Sequence, residues 1–258
     1  MRLELGRVTS VGERVRQGSQ FPIYTEIALD GGRYARAISK FPCIETRAPA
    51  QAAVTEWLGT CLAAEVGIQA PPCFLVSASD PVVAEMRRRH GMSVVCEYGF
   101  ASQVCAISAI LYPFTLQQMP PEDVARLYCY DMLFINADRT PENPNCGHGG
   151  GRLFAYDFGS SLLAPNTEER YFDRPFFGSN LSDRAEAHLC RDFVRSGELV
   201  GRTLDDMLNR IEACAWMRQI DTRRLPDRLG DHLGLLIRFL GYLVQDRQTI
   251  RRQIVSTI

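Results

Sequence analysis

The chain lacks any long apolar run. Its richest stretch, LGLLIRFLGYLV at 233–244, is interrupted by Arg238 and is too short to span a bilayer. It also lacks a charge excess: 29 basic and 30 acidic residues leave a formal charge of −1, which gives no general attraction to nucleic acid or an anionic membrane. The polar opening MRLELGRVTSVGERVR has no apolar h-region, so no signal peptide is expected. No CxxC occurs. The nine cysteines stand singly and are odd in number, which excludes a disulfide framework or a zinc ribbon and fits small buried residues in a reducing, cytoplasmic setting. Cys146 and His148 alone could pair as metal ligands, and nothing supplies a second pair. No GxSxG is present, and the four histidines have no evident Ser or Cys partner, so a hydrolase is not expected; His188 and His232 fall in helical segments and are read as packing or surface residues.

What is there suffices for a sizeable core: 46% of the 258 residues are hydrophobic. The first hundred residues are strand-rich. PIYTEIAL (22–29), the turn Asp30-Gly31-Gly32 and RYARAIS (33–39) read as a β-hairpin with Lys40 at its end. APAQAAVTEWLGTCLAAEVG then gives a helix with one apolar stripe, stopped at Gly67. A short strand CFLVS (73–77) follows, then a polar arm with the solvated run Arg87-Arg88-Arg89-His90, then a strand MSVVCE (92–97). After about residue 104 the chain turns helical. PPEDVARLYCYDMLFIN opens as a helix start should, a brief hairpin surrounds Gly147–Gly151, and long helices are expected near 203–219 and 229–256. The fold class is therefore α+β and bilobal. A small β-rich lobe spans 1–102 and a larger α-helical lobe 103–258, with the cleft expected near residues 97–104.

Two turns carry chemistry. In NADRTPENPN (136–145), Asp138 and Asn143 share a loop stiffened by Pro141 and Pro144. In LFAYDFG, Asp157 ends a short apolar strand and Gly159 permits the turn. One carboxylate to meet a hydroxyl, and an amide oxygen with a second carboxylate to hold a hard cation, are what an Mg²⁺-dependent transfer needs. Lys40 ends its strand and Glu56 lies on the next helix; a Lys–Glu pair would hold the ammonium toward phosphate oxygens, with Glu45 and Glu65 as other candidate partners.

Lys40, Glu56, Asp138-x-x-x-x-Asn143 and Asp157-Phe158-Gly159 stand in the order of a kinase site. DRTPEN is similar to the DRxxxN loop of phosphoinositide kinases. The combination N-x-D-R-x-x-x-N-P-N with a strand-end Asp resembles the HipA-like kinases, above all the compact HipA-like kinase domain, and GSQFP (18–22) and VGIQAPP (66–72) fit that family's opening. The resemblance covers about residues 17–165 and implies a protein-kinase-like fold using ATP and Mg²⁺. It implies Asp138 as catalytic aspartate, Asn143 and Asp157 as Mg²⁺ ligands, and Lys40, oriented by Glu56, on the α- and β-phosphates. Glu97-Tyr98-Gly99 to Ser102 would form the hinge on adenine, and Arg139 would face phosphate or a structural carboxylate. The implied acceptor is a hydroxyl, expected on a protein Ser or Thr; the alternatives are a lipid or small-molecule kinase and a nucleotide-binding pseudokinase or interaction module. The chain departs from the kinase pattern: GxGxxG is replaced by Gly18-Ser19-Gln20, Asn136-Ala137 stands where HRD would be, and no APE follows DFG.

Overall fold

The computed structural model describes residues 5–16, 20–47, 49–105, 109–110, 113–149, 152–161, 180–194, 196–214, 220, 223 and 225–258. The chain forms two compact units. One holds the described residues up to Leu58, Pro71–Cys105 and a stretch ending at Gly234. The other holds Gly59–Ala70, the described part of 106–218, and Leu235–Ile258.

In the first unit five strands close a barrel: β1 (Leu5–Arg14), β2 (Ile23–Ala28), β3 (Tyr34–Lys40), β4 (Cys73–Ser77) and β5 (Tyr98–Gln103), in the order β1-β2-β3-β5-β4. All pairs are antiparallel except β1 with β4, which is parallel and closes the ring. The β2–β3 hairpin forms as its sequence directs, because Gly31 and Gly32 take φ of +78° and +75°, values that cost glycine little. Alternate residues Ile23, Thr25 and Ile27 point inward and join Val8, Val11, Ala37, Val76 and Ala101 in the core.

Three expectations for this unit are corrected. The expected polar arm is a helix, α2 (Asp80–His90), with a proline in its first turn and Gly91 at φ +69° closing its end. Met86 of α2 is buried, Arg89 donates to the Val11 carbonyl, and the His90 ring bonds the Gly12 carbonyl, so the basic run is partly tied down onto β1. MSVVCE is not a strand: it makes one isolated bridge, Val94 to Cys43, and the barrel strand is the next segment, β5. β5 is rich in small residues, which suits a central strand with neighbours on both edges. Helix α1 (Ala52–Glu65), of which this unit holds the part up to Leu58, has no stripe. Every residue from Ala52 to Ala63 is buried, as in a helix covered on all sides.

The second unit contains the short α3 (Pro113–Leu116) and α4 (Pro121–Leu133), a small antiparallel sheet, and the short α5 (Asn180–Ala187). The sheet comprises β6 (Ala109–Ile110), β7 (Cys146–Gly149) and β8 (Arg152–Ala155). Then come α6 (Gly197–Ala213), the later part of α7 (Asp227–Gln245), and α8 (Arg247–Val255). Ser196 caps α6, its Oγ accepting from the Leu199 amide at 3.3 Å. The single helix expected over 229–256 is two. Asp246 leaves helical geometry, where it accepts from the Tyr242 hydroxyl while Arg247 Nε donates to the Val244 carbonyl, so side chains compete with the helix ladder. α4 is nearly engulfed, with Leu127, Tyr128 and Met132 wholly buried alongside Leu204, Met207 and Leu208 of α6. Seven of the nine cysteines are buried. Among the described residues, no helix is long and apolar enough to cross a membrane.

Candidate active site

In the first unit β3 delivers Lys40 to the rim of a small cavity that Glu56, Gln20, Phe41, Ala53 and Phe100 help line. Lys40 Nζ donates to Glu56 Oε1 at 2.7 Å. The other two candidate partners are elsewhere engaged or placed: Glu45 accepts from the Ser93 amide, which with further hydrogen bonds holds its carboxyl down to about 2, and Glu65 ends α1. Gly18 and Ser19, the expected phosphate-covering residues, lie outside the described residues.

The hinge candidates sit within or just before β5. Phe100, Ala101 and Ser102 pair with Leu75, Phe74 and Cys73 on one side and with Lys40, Ser39 and Ile38 on the other. A central strand spends its backbone groups on its neighbours, so the Ser102 backbone is not placed to read an adenine edge. Glu97 contributes its carbonyl to the Ala78 amide, and Tyr98 pairs with Ser77. Gly99 answers a different need: a Cβ there would stand 2.6 Å from the Lys40 carbonyl oxygen and 2.8 Å from the Phe41 ring. Its missing side chain lets β3 pass.

In the second unit the loop after α4 holds Asp138 and Asn143 together. Asn143 Nδ2 donates to the Asp138 carbonyl at 3.0 Å, and its backbone exchanges hydrogen bonds with Thr140 across the turn. Asn145 Nδ2 reaches Asp138 Oδ2 at 3.4 Å, while the Asn145 carbonyl accepts from the Tyr156 amide at 3.1 Å. Asn145 therefore ties the loop to the residue before Asp157. Asp157 itself has φ +57°, an uncommon conformation that aspartate tolerates better than bulky residues and that recurs at functional sites. Behind it Phe158 is wholly buried. It meets Tyr130 edge-on at 5.2 Å, and Tyr130 in turn donates to the Gly59 carbonyl at 2.5 Å.

With its amide nitrogen on the Asp138 carbonyl, Asn143 has its side-chain oxygen left as the acceptor. Among the described residues, no group of three or more His, Cys, Asp or Glu gathers as an all-protein metal cage would require. Mg²⁺ instead takes one or two protein oxygens, keeps waters and shares substrate phosphates, and an amide oxygen with one carboxylate is a donor set of that kind.

Arg139 faces a buried carboxylate. Its side chain is wholly buried, with Nε on Asp131 Oδ2 at 2.6 Å and Nη1 on the carbonyls of Pro144 and Asn145. Asp131, also buried, accepts in addition from Asn136 Nδ2 at 2.8 Å and bonds His188 Nε2 at 2.9 Å. Burial works to raise the Asp131 pKa, but Arg139 and His188 outweigh it and hold it below the usual aspartate value. Asp131, Asn136 and Asn145 went unassigned in the sequence, and His188 was read there as a packing or surface residue. An aspartate in an otherwise apolar helix face, seven residues before Asp138, was the available signal; His188 gave none, since it lies far along the chain.

The sequence matches the family model described as "HipA-like kinase" over residues 9–196. The chain belongs to the HipA-like kinase family. Among solved structures, the Helicobacter pylori proinflammatory kinase CtkA aligns over 96% of each chain at 11% identity with a TM-score of 0.58, so this HipA-like kinase shares its mixed α/β, kinase-like fold. The Rio2 kinase–ADP/Mg²⁺–phosphoaspartate complex from Chaetomium thermophilum aligns over 80% of this chain and 71% of its own at 16% identity. Its TM-score of 0.34 is too low to bear on the fold. No curated protein matches the sequence. The matched span of the HipA-like kinase takes in Lys40, Glu56, the Asp138 loop, Asp157 and His188, and ends at the N-cap of α6.

Proposed function

We propose that this HipA-like kinase is an ATP- and Mg²⁺-dependent phosphotransferase that passes the γ-phosphoryl group to a hydroxyl acceptor, a Ser or Thr of a protein. The observation that carries the reading is the hydrogen bond from Asn143 Nδ2 to the Asp138 carbonyl, which ties a candidate base and a candidate metal ligand into one turn. Residues 1–102 serve the nucleotide, and residues 103–258 supply the catalytic loop and metal ligands.

Asp138 accepts or aligns the acceptor's hydroxyl proton, and its position is set by Asn145 and by its own amide on Asn136 Oδ1. Asn143 and Asp157 would hold Mg²⁺, which when bound offsets negative charge on the phosphates. Lys40 presents an ammonium to phosphate oxygens, and Glu56 fixes its direction. Arg139 acts from beneath by holding the loop. A reaction of this type asks the protein for placement and charge rather than covalent chemistry.

Two measurements test the reading together. In a thermal-shift titration, ATP with Mg²⁺ should raise the melting temperature more than ATP alone, since a ligand bound only by the folded state stabilises it. Transfer of labelled γ-phosphate to protein should fall by about a hundred- to a thousandfold in Asp138→Ala and Asp157→Ala, the loss typical of one electrostatic stabiliser. Label appearing in lipid or a small molecule instead would change the acceptor class. Asp157→Ala turning over ATP at the parent rate would overturn the site.

A further inference from the structure

We propose that His188 is a positioning residue for phosphoryl transfer: through Asp131 it holds the catalytic loop that carries Asp138 and Asn143. The inference rests on the kinase reading and adds to it a residue outside the motif. His188 follows α5, 50 positions beyond Asp138, and its side chain is buried. The amide of Cys190 donates to His188 Nδ1 at 3.0 Å, so Nδ1 is an acceptor and Nε2 carries the proton. Nε2 then donates to Asp131 Oδ2 at 2.9 Å.

Asp131 is where the loop is fastened. It receives Asn136 at the loop's entry and Arg139 within it, and Arg139 carries the connection to the carbonyls of Pro144 and Asn145 at the exit. The Leu189 amide also donates to the Arg139 carbonyl, at 3.1 Å. His188 and its neighbour thus grip the loop twice, once through a side chain and once through backbone. Arg139 Nε and His188 Nε2 share the same carboxylate oxygen, so losing the histidine proton leaves that oxygen underbonded and the guanidinium free to shift. A shift of the guanidinium moves the two carbonyls it holds, and Asn145, which bonds Asp138 Oδ2, moves with them. Small misplacements at a reacting group have large kinetic cost.

The two polar contacts of His188 can be separated. Glutamine places an N–H donor where Nε2 stands and so keeps the bond to Asp131. Asparagine places a carbonyl where Nδ1 stands, which keeps the Cys190 amide satisfied but gives up Asp131. His188→Gln should therefore hold kcat near the parent value. His188→Asn should lower kcat by about ten- to a hundredfold, the equivalent of a hydrogen bond to a charged group, with KM for ATP unchanged. Hydrogen exchange of the Asp138 and Leu189 amides should quicken in His188→Asn and not in His188→Gln. A purely structural histidine would give the opposite ranking or none, because only the Cys190 contact would then count. Parent-like kcat in a folded His188→Asn protein overturns the inference. If that variant does not fold, a folded His188→Gln protein with a large kcat loss overturns it equally. A parent protein that transfers no phosphate at all sinks the kinase reading itself, a result distinct from two active, indistinguishable variants.

Discussion

Lys40 Nζ stands 2.7 Å from Glu56 Oε1, and the two side chains are only 15% and 3% exposed. Glu56 is an acid on a helix whose residues from Ala52 to Ala63 are all buried. Such a carboxylate is tolerable when a cation and hydrogen bonds compensate it, and costly once the cation is removed. Lys40→Met should destabilise the protein by about 3 kcal/mol, the lower end for breaking a buried pair because Lys40 keeps some solvent. Adding Glu56→Gln should restore part of that loss. Urea unfolding of the parent, both single variants and the double variant reads this as non-additivity. Strict additivity would mean that the two groups do not act as a pair.

Gly99 bears on the same lysine from the opposite side. A methyl group at Gly99 would meet the Lys40 carbonyl at 2.6 Å and the Phe41 ring at 2.8 Å, distances that real Cβ contacts do not reach. Since one of the neighbours is backbone in a paired strand, it cannot simply rotate away. Gly99→Ala should cost about 1–3 kcal/mol as an overpacking change. It should also weaken ATP binding by disturbing Lys40, whereas removing an adenine contact would leave stability untouched. Comparing denaturant midpoints with nucleotide affinity separates these outcomes.

Local rules made parts of both units legible. The Asp30-Gly31-Gly32 turn set the β2–β3 hairpin, apolar CFLVS became β4, and a proline with acidic residues opened α4. Lys40 and Glu56 could be put forward as a pair because Lys40 ends its strand and Glu56 lies on the next helix, with Glu45 and Glu65 left open beside it. What escaped was decided by tertiary context. β1 is polar in sequence and is a strand because β2 and β4 flank it. β5 carries Gly99, Ala101 and Ser102, whose strand tendency is weak, and takes its place through pairing with both β3 and β4. α1 hid its all-round burial because alanines and threonines blur periodicity. The loop-holding carboxylate Asp131 was invisible for another reason: its partner His188 is 57 positions away, a distance only folding closes.

Gly59 should be intolerant of a side chain although it lies within a helix. At an open helical position Gly→Ala gains about 1 kcal/mol of propensity. Here a Cβ would stand 3.0 Å from Phe158 Cβ and 3.4 Å from the Phe158 carbonyl, so Phe158 must give way. Overpacking at about 1–3 kcal/mol should exceed the propensity gain. Gly59→Ala is therefore expected to lower the melting temperature, and to lower kcat as well because Phe158 adjoins Asp157. A variant that melts higher than the parent would show that Phe158 has room to move.

Asp131 should set an acid limit on the second unit. Burial acts to raise its pKa, yet Arg139 and His188 bring it below the ordinary value of 3.8. A carboxyl whose folded pKa is depressed binds fewer protons in the native state than in the unfolded one. Its contribution is complete above pH 3.8 and is lost as pH falls from there through the folded value. Asp131→Asn should cost about 3–5 kcal/mol at neutral pH, since it leaves the Arg139 charge buried without its partner. The same variant should then lose less further stability than the parent between pH 5 and pH 3, because the titrating group is gone. Guanidinium unfolding at the two pH values measures both effects, and equal losses in the two proteins would place the acid sensitivity in another carboxylate.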